Sequence, residues 1–429
     1  MAENENTYGS FRWFILTALA VSQGGAFMNI SSFSPLLLHI SEDMHVSMSS
    51  AVSFMSSIFF ASAVAFIFIG GQLIDRIGVK STLILGVATT GAAAAFVPLV
   101  HTSYNIVFVL RLIQGGAMAV TFVCQAPALH AYFPKKEYGI CGGLMGGALS
   151  LGASITMLFT PIIFQSVHSW PTTVALMSIP AWLGVFLMFF VPKAATAEES
   201  KNASDRKDQI GYFEVFKYPV TWFGIGTMFF SVWSLRALES LAPTYLSAPA
   251  PLGVGLGDIV GGRFTSSMTM AGLLGVIVGG LLLDKVAHGN YRIVMMLGLA
   301  IFAVSAFLIT LPVVYGSYTL LMVFLVLAGF GVPFVKACGG AFTIAVYPPR
   351  LIGRIFGLMV GLGSFGASAG IWVGGEIAEK TGRFSSAMLT LALAGVGGFI
   401  LSCFLKPELT LRRREAKTVS SRDVPAAIE

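Results

Sequence analysis

The sequence predicts an all-α membrane protein with twelve transmembrane helices and both termini in the cytoplasm. Charged residues make up only 11% of the 429-residue chain, hydrophobic residues make up 55%, and the mean hydropathy is +0.82. Soluble domains average about 25% charged residues, so this chain cannot cover a water-exposed surface of its size. Long apolar runs recur along the chain, and lysines and arginines are concentrated in alternate loops.

Twelve apolar runs are long enough to cross a bilayer, which takes about 20 residues of helix. They cover residues 12–38, 48–71, 79–100, 104–130, 139–164, 172–192, 217–246, 262–284, 291–313, 317–346, 352–375 and 384–405. The first run follows ten polar and acidic residues and has no small-residue cleavage site, so we expect a retained helix rather than a removed signal peptide.

The basic residues predict the orientation of these helices. With the N-terminus placed inside, 20 of the 26 lysines and arginines fall in inner segments or the C-terminal tail, whereas outer loops hold only Arg263, Lys380 and Arg383. Cytoplasmic loops carry such an excess of positive charge. We therefore expect both termini inside, in a bacterial inner membrane. The basic net charge follows from this loop asymmetry and does not indicate a nucleic-acid partner.

A polar loop divides the chain into two similar units. We predict an N-terminal six-helix bundle over residues 1–192, a cytoplasmic linker over 193–217, a C-terminal bundle over 218–405 and a cytoplasmic tail over 406–429. "GGQLIDR" after the second span is echoed by "GGLLLDK" after the eighth, and "YFP" after the fourth by "YPP" after the tenth. Such internal repeats favour two pseudo-symmetric bundles around a central site, as in secondary transporters.

The loop after the second span carries a family motif. "GGQLIDRIGVK" fits the pattern G-x-L-x-D-R-x-G-x-K, and a reduced copy follows the eighth span. In both the motif and the length of the match, the chain resembles the major facilitator superfamily. The resemblance implies a conformational latch on the cytoplasmic side, made by Gly71, Asp75, Arg76, Gly78 and Lys80 and, in the second half, by Asp284 and Lys285. Gly78 also predicts a tight turn at this point.

A second motif lies in the fourth span. "RLIQGG" is similar to the R-x-x-Q-G motif of the same family, at Arg111 and Gln114. An arginine at this depth must face protein or a wet cavity, because exposure to lipid is costly. The resemblance implies either a buried hydrogen-bond network or a part in proton coupling and substrate binding, and both interpretations remain open here.

One lysine stands alone in the tenth span. In "GFGVPFVKACGG", Lys336 has no ionisable neighbour between Arg292 and Arg350. It lies roughly 28 Å along the span at 1.5 Å per residue, so we expect its ammonium to face the bundle interior or water. Pro333 and the neighbouring glycines predict a bent helix at this point. A structural alternative is that the side chain extends to the membrane surface.

The seventh span carries the remaining intramembrane charges. Arg236 and Glu239 are three residues apart and therefore share a helix face. They can form an internal ion pair, or Arg236 can bind a substrate anion while Glu239 accepts a proton. An arginine suits a carboxylate because its planar fork matches two oxygens.

The balance of intramembrane charge predicts the sign of the substrate. Arg111, Arg236 and Lys336 face only Glu239, a surplus of two positive charges. A low-dielectric cavity with this surplus is best neutralised by an anion. We predict substrate binding by these three cations together with Gln114, Asn29 and Gln23, and proton coupling by Glu239.

We therefore expect a secondary active transporter that moves a small organic anion, most simply a carboxylate, by alternating access. Proton symport and anion exchange both remain possible, as do inorganic anions. The expected partners are this anion, the lipid bilayer, and protons or a counter-transported anion; we expect a monomer without a metal or cofactor, since no G-x-x-x-x-G-K-[ST] loop or metal-ligand spacing occurs.

Other functions fit the sequence less well. Efflux of drugs or amphipathic compounds by proton antiport predicts buried acids rather than buried cations. A membrane-embedded enzyme would need a nucleophile, base or metal cluster, but the six histidines are scattered mostly at span ends. A sensor built on a transporter scaffold would bind a ligand without measurable flux.

Overall fold

The protein folds into helices joined by short turns. The computed structural model describes residues 9–68, 70–134, 137–193, 212–347 and 349–405, and these ranges contain no β-strand. Most of the predicted linker, the whole predicted tail, and the predicted inner cations Lys135 and Lys136 lie outside the described residues. We call residues 9–193 the N-terminal part and residues 212–405 the C-terminal part.

The helices of the N-terminal part follow the first six apolar runs. They are α1 (Phe11–Ser31), a 3-10 turn (Ser34–Leu36), α2 (Leu37–Asp43), α3 (Met48–Phe68), α4 (Gly70–Ile77), α5 (Val79–Val100), α6 (Tyr104–Val123), α7 (Gln125–Tyr132), α8 (Tyr138–Val167), α9 (Trp170–Leu176) and α10 (Ile179–Phe189). The first, fourth and sixth predicted spans are each divided into shorter helices, so the hydropathy located the spans but not their breaks.

The helices of the C-terminal part follow the other six runs. They are a 3-10 helix (Tyr212–Lys217), α11 (Pro219–Ser247), α12 (Asp258–Leu281) with a π-helical extension (Leu282–Val286), α13 (Tyr291–Leu308), α14 (Pro312–Tyr315), α15 (Tyr318–Gly331), α16 (Pro333–Val346), α17 (Pro349–Thr381) and α18 (Phe384–Ser402). The tenth span is interrupted beside Pro333, because α15 ends immediately before Val332 and α16 begins immediately after it. Val332 itself keeps helical backbone angles, with φ −58° and ψ −38°, so the bend stays a prediction.

Within the described ranges, eleven helical segments are long and apolar enough to cross a membrane. The seventh predicted span is not among them, although α11 has 29 residues there. Arg236 and Glu239, together with several serines and threonines, lower the hydropathy of α11. The multi-pass helical architecture is thus clear, and the twelfth crossing remains a prediction.

Contacts near the ends of the helices define two ends of the bundle. At the end that we call the His39 end, the indole of Trp170 donates to Asp43 over 2.8 Å, and the ring of His39 lies 4.2 Å from that of Phe164. At the opposite end, which we call the Asp75 end, Arg12 pairs with Glu137 at 2.9 Å. Successive long helices therefore run in alternate directions.

The two parts contact each other mainly through α3 against α17 and α8 against α12. Ser56 and Ser368 hydroxyls lie 2.9 Å apart across the first interface. Ser154 and Ser266 hydroxyls lie 2.7 Å apart across the second. Both interfaces thus contain a matched pair of serines, which suits close helix packing in an apolar environment.

Further polar contacts join the parts at the His39 end. His39 Nε2 and a carboxylate oxygen of Asp258 are 2.8 Å apart, and the Ser49 backbone amide donates to Glu379 over 2.7 Å. The Ser34 hydroxyl contacts the carbonyls of Glu239 and Ser240.

Glycines allow α15 to lie close to its neighbours just before the Lys336 helix. A Cβ at Gly331 would lie 2.5 Å from the Gly298 carbonyl oxygen, and one at Gly298 would lie 2.4 Å from that of Gly331. Real side chains do not fit at such distances, so both positions require glycine. This contact fixes the end of α15 against α13 and thereby sets where α16 begins.

Candidate anion-binding site

Lys336 lies deep in the bundle and is nevertheless accessible. It is the fourth residue of α16, and protein atoms surround it so closely that desolvation dominates its electrostatics. Lys336 is nevertheless exposed. Depth and exposure are compatible only if the side chain borders an internal water-accessible cavity, and this is where an ammonium is tolerated inside a membrane protein.

Arg236 and Glu239 form the ion pair that their spacing permits. A guanidinium nitrogen of Arg236 lies 2.5 Å from a carboxylate oxygen of Glu239, and the two side chains are only 18% and 16% exposed. Both charges interact electrostatically with Lys336, Arg236 unfavourably and Glu239 favourably. The structure thus brings together three of the predicted site residues, although they come from two separate helices.

Aromatic rings of the N-terminal part cover the Arg236 guanidinium. Its central carbon lies 4.9 Å from the ring centroid of Phe27 on α1 and 5.9 Å from that of Phe59 on α3. A cation over the face of an aromatic ring is stabilised electrostatically, more strongly when it is desolvated. The charges of the site therefore come from the C-terminal part, and an apolar wall comes from the N-terminal part.

The charge of this cluster is unbalanced. Lys336 and Arg236 carry two positive charges, and Glu239 supplies one negative charge. No other carboxylate appears among the charges that act on Lys336 within the described part of the chain. The arrangement has one positive charge in excess and can attract an anion.

The predicted ligands Gln23 and Asn29 lie on α1 with their side-chain amides unpaired. Gln23 is 2% exposed and Asn29 is 0% exposed. Neither amide has a hydrogen-bond partner among the described residues. Buried polar groups are normally satisfied, so each is a position where a visiting polar group would be stabilised. Gln23 also borders a small cavity together with Phe27.

Arg111 and Gln114 form a separate, self-contained network. The guanidinium donates to the carbonyls of Phe54 over 3.1 Å and Ile30 over 2.9 Å, and to the Gln114 side-chain oxygen over 2.8 Å. The Gln114 amide in turn donates to the Thr90 carbonyl over 3.1 Å. The Arg111 side chain is completely buried. Of the two interpretations of this motif, the geometry favours a hydrogen-bond network.

An aromatic ring completes the surroundings of Arg111. Its guanidinium carbon lies 3.9 Å from the centroid of Phe33, and one of its nitrogens contacts the Met55 sulfur at 3.2 Å. No contact within the described side chains connects Arg111 to Lys336, Arg236 or Glu239. The predicted intramembrane cations therefore fall into two groups, Lys336 and Arg236 in one and the enclosed Arg111 in the other.

The first copy of the latch motif lies at the Asp75 end. Gly71, Asp75 and Arg76 belong to α4, and the last two are exposed. Gly78 has a φ of +79°, which confirms the predicted tight turn between α4 and α5. The Lys80 ammonium donates to the carbonyls of Phe189 and Val191, at the end of α10. Lys80 thus ties two segments of the N-terminal part together.

The second copy of the motif has a different local structure. Asp284 and Lys285 lie in the π-helical extension that continues α12, and both are exposed. The equivalent residues of the first copy, Asp75 and Arg76, lie in regular α-helix. The two copies of the sequence motif are therefore not copies in backbone conformation.

Sequence reasoning missed the aromatic contacts of Arg236. Phe27 follows Gln23 by four residues and so lies one helical turn further along α1 on the same face. That spacing was the available signal for Phe27. No sequence signal marks Phe59, because phenylalanine is common in every span. Only the packing of α3 against the C-terminal part shows that Phe59 contacts Arg236.

A helical bundle in which cations face an internal cavity is typical of membrane transporters. The family model of the Major Facilitator Superfamily matches residues 19–289 and 252–427. The chain therefore belongs to the Major Facilitator Superfamily and is a multi-pass membrane protein. At the level of the family, this makes it a transporter rather than an enzyme.

Known proteins resemble the chain over most of its length. The probable sulfoacetate transporter SauU of Cupriavidus necator is 26% identical over 379 residues, which cover 81% of this chain and 83% of that protein. The nitrite extrusion protein of Bacillus subtilis is 24% identical over 293 residues, 67% of each chain. The crystal structure of a bacterial homolog to the human lysosomal transporter Spinster, in an inward-facing and unoccupied conformation, has a TM-score of 0.74 at 15% identity and covers 93% of this chain and 98% of that one. This last likeness shows the fold alone.

Proposed function

We propose that the protein is a secondary active transporter that moves a small organic anion, most simply a carboxylate, by alternating access. Lys336 and Arg236 bind the anion, and Glu239 couples its movement to a proton or to a counter-transported anion. The observation that carries the proposal is the accessible cluster of two cations and one carboxylate in the middle of the bundle.

The relatives support an anionic cargo. Sulfoacetate and nitrite, named in two of them, are both anions, one organic and one inorganic. An aromatic wall beside Arg236 favours an organic cargo, because Phe27 and Phe59 offer apolar contact that a small inorganic anion cannot use. An inorganic anion is the second candidate, and the nitrite extrusion protein is the specific observation in its favour.

The distribution of contacts suggests how the site is reached. Polar contacts join the two parts at the His39 end and hold that end closed. If the positive-inside rule holds, the Asp75 end faces the cytoplasm. The structure then corresponds to an inward-open state of two six-helix bundles, residues 1–192 and 218–405, in a bacterial inner membrane.

Glu239 provides a means of coupling. In this structure its carboxylate forms an ion pair with the Arg236 guanidinium. An incoming carboxylate competes for the same donors, and the displaced Glu239 can then accept a proton, which gives symport. If Glu239 stays ionised, the cavity keeps an excess positive charge when empty and reorients slowly, which gives anion exchange. Both mechanisms use the same three residues.

The remaining predicted residues have supporting roles. Arg111 and Gln114 connect α1, α3, α5 and α6 through hydrogen bonds, so we propose that they hold the shape of the N-terminal bundle while it moves. Gly71, Asp75, Arg76, Gly78 and Lys80, with Asp284 and Lys285, form the proposed latch when the Asp75 end closes.

Uptake into proteoliposomes tests the proposal. Purified protein is reconstituted, and uptake of a panel of labelled carboxylates and of nitrite is measured with and without internal anion and with an imposed pH gradient. Lys336→Ala and Arg236→Ala should each lower uptake about 100-fold, since truncating one partner in a buried charged contact costs about 2–5 kcal/mol.

Lys380→Ala is the matched control, because Lys380 is a cation on α17 whose side chain is 75% exposed. It should leave uptake unchanged. Retention of wild-type uptake by both Lys336→Ala and Arg236→Ala would remove the assigned site. Absence of uptake of every anion by the wild type would contradict the proposed function itself.

A further inference from the structure

A small cavity lies beside the anion-binding cluster, inside the N-terminal part. It is bordered by α1, α6 and α8 and has a free volume of about 10 Å³, with Gln23, Phe27, Thr121 and Phe122 among its lining residues. A space of this size holds about one water molecule. All of its lining side chains are uncharged, so it suits a small neutral polar group and not a second ionised one.

The cavity contains one unsatisfied polar side chain. Gln23 is 98% buried, and neither its amide nitrogen nor its amide oxygen has a hydrogen-bond partner within the part of the chain that the structure describes. Thr121 does not serve it, because the Thr121 hydroxyl donates to the Ala117 carbonyl over 2.9 Å. Leaving a buried amide unpaired is unfavourable, and a group that enters the cavity can both donate to Gln23 and accept from it.

The cavity adjoins the charged cluster through a single residue. Phe27 lines the cavity, and its ring lies 4.9 Å from the Arg236 guanidinium carbon. Gln23 and Phe27 are four residues apart on α1, which is about 6 Å along the helix axis. Gln23 therefore lies about one helical turn from the ring that covers Arg236, a separation that a short molecule can span.

We infer that the substrate is a short organic anion with an uncharged hydrogen-bonding group, such as a hydroxyl, at the end far from its carboxylate. The carboxylate binds Lys336 and Arg236, the carbon chain lies against Phe27, and the distal group bonds to Gln23. Gln23 is thereby a specificity-determining residue. This inference rests on the proposed function, because it uses the same cationic site for the carboxylate.

Matched probes of one chain length test the inference. Uptake of labelled 4-hydroxybutyrate, butyrate and succinate is compared in proteoliposomes of the wild type, Gln23→Met and the control Gln165→Met. Methionine has a similar length and no amide, and Gln165 is an exposed glutamine on α8 outside the cavity. Thermal melting in detergent verifies that each variant is folded.

The wild type should prefer 4-hydroxybutyrate to butyrate and to succinate by about tenfold in kcat/KM, the effect of one hydrogen bond to a buried polar group. Gln23→Met should lose this preference, with the ratio of 4-hydroxybutyrate to butyrate uptake falling about tenfold, and Gln165→Met should keep the preference. Equal uptake of the three probes by the wild type would overturn the inference but not the proposed function. So would an equal loss of all three in folded Gln23→Met. Failure of all three probes in a wild type that takes up another anion of the panel would overturn the inference alone.

Discussion

The two cationic sites inside the bundle differ in what neutralises them. The Arg111 guanidinium donates to two backbone carbonyls and the Gln114 side chain, and it lies over the Phe33 ring. The Arg111 side chain is completely buried. At Lys336 and Arg236, one carboxylate serves two cations beside an accessible cavity. The protein thus completes the first site and leaves the second incomplete.

Under the proposed function, this difference separates a structural charge from a binding charge. A buried cation without partners is costly, so each site must find counter-charge somewhere. Arg111 obtains it from dipoles of the N-terminal part itself, the Ile30 and Phe54 carbonyls and the Gln114 side chain. Lys336 and Arg236 have a remaining deficit that a mobile anion can fill. The two cationic sites therefore differ in whether protein groups neutralise the charge, more than in how deep they lie in the membrane.

The largest effect that would sharpen the comparison is on folding. Arg111→Met should destabilise the protein by about 3 kcal/mol, because it leaves the buried Gln114 side-chain oxygen without its donor and removes a donor from the Ile30 and Phe54 carbonyls, and an unsatisfied buried group costs about 1–3 kcal/mol. Thermal melting in detergent measures this, with Arg263→Met as the control, since Arg263 is an exposed arginine on α12. A folded Arg111→Met protein with unchanged melting would show that the enclosed network is not structural.

The next effect concerns the single carboxylate of the incomplete site. Glu239→Gln should lower the anion concentration for half-maximal exchange about fivefold, because the anion no longer competes with an ion pair worth up to about 1 kcal/mol. Stimulation of uptake by an inward proton gradient should disappear at the same time. Exchange and gradient-driven uptake are measured in the same proteoliposomes. A proton response that persists in Glu239→Gln would exclude Glu239 as the coupling group.

The smallest effect concerns the contacts that close the His39 end. His39→Ala removes the contact with Asp258, in which both side chains are partly exposed, at 24% and 20%. Such pairs contribute about 0.2–1 kcal/mol, so the population open at the His39 end should rise about twofold. Spin-label distances between positions 45 and 249, in a cysteine-free background, report this population. A distance distribution identical to that of the parent protein would mean that the contact does not hold the end closed.

Much of the fold could be predicted because its determinants are local. Apolar runs located the spans, Gly78 marked a turn that requires positive φ, and Pro333 marked the break in the tenth span. The Arg236–Glu239 pair follows from helical spacing alone. Each of these depends on residues within a few positions of one another, so one sequence suffices.

The partners of the buried cations could not be predicted, for two physical reasons. The acceptors of Arg111 on Ile30 and Phe54 are backbone carbonyls, and these are chemically alike at every position. The rings over Arg236 come from other helices, far away in the chain. The number of charges in the site could therefore be predicted from the sequence. Which of them are neutralised by groups of the protein could not.

The central claim is that an anion visits Lys336, and the reactivity of its amine tests this most directly. Purified protein is treated with a water-soluble amine reagent, with and without the best-transported anion at saturation, and the labelled peptides are quantified by mass spectrometry. Lys336 should react when the cavity is empty and about tenfold more slowly when the anion is bound, the reduction expected at about 90% occupancy. The exposed Lys380 should react equally in both conditions. A Lys336 that does not react at all, or that reacts at one rate with and without the anion, would contradict the account.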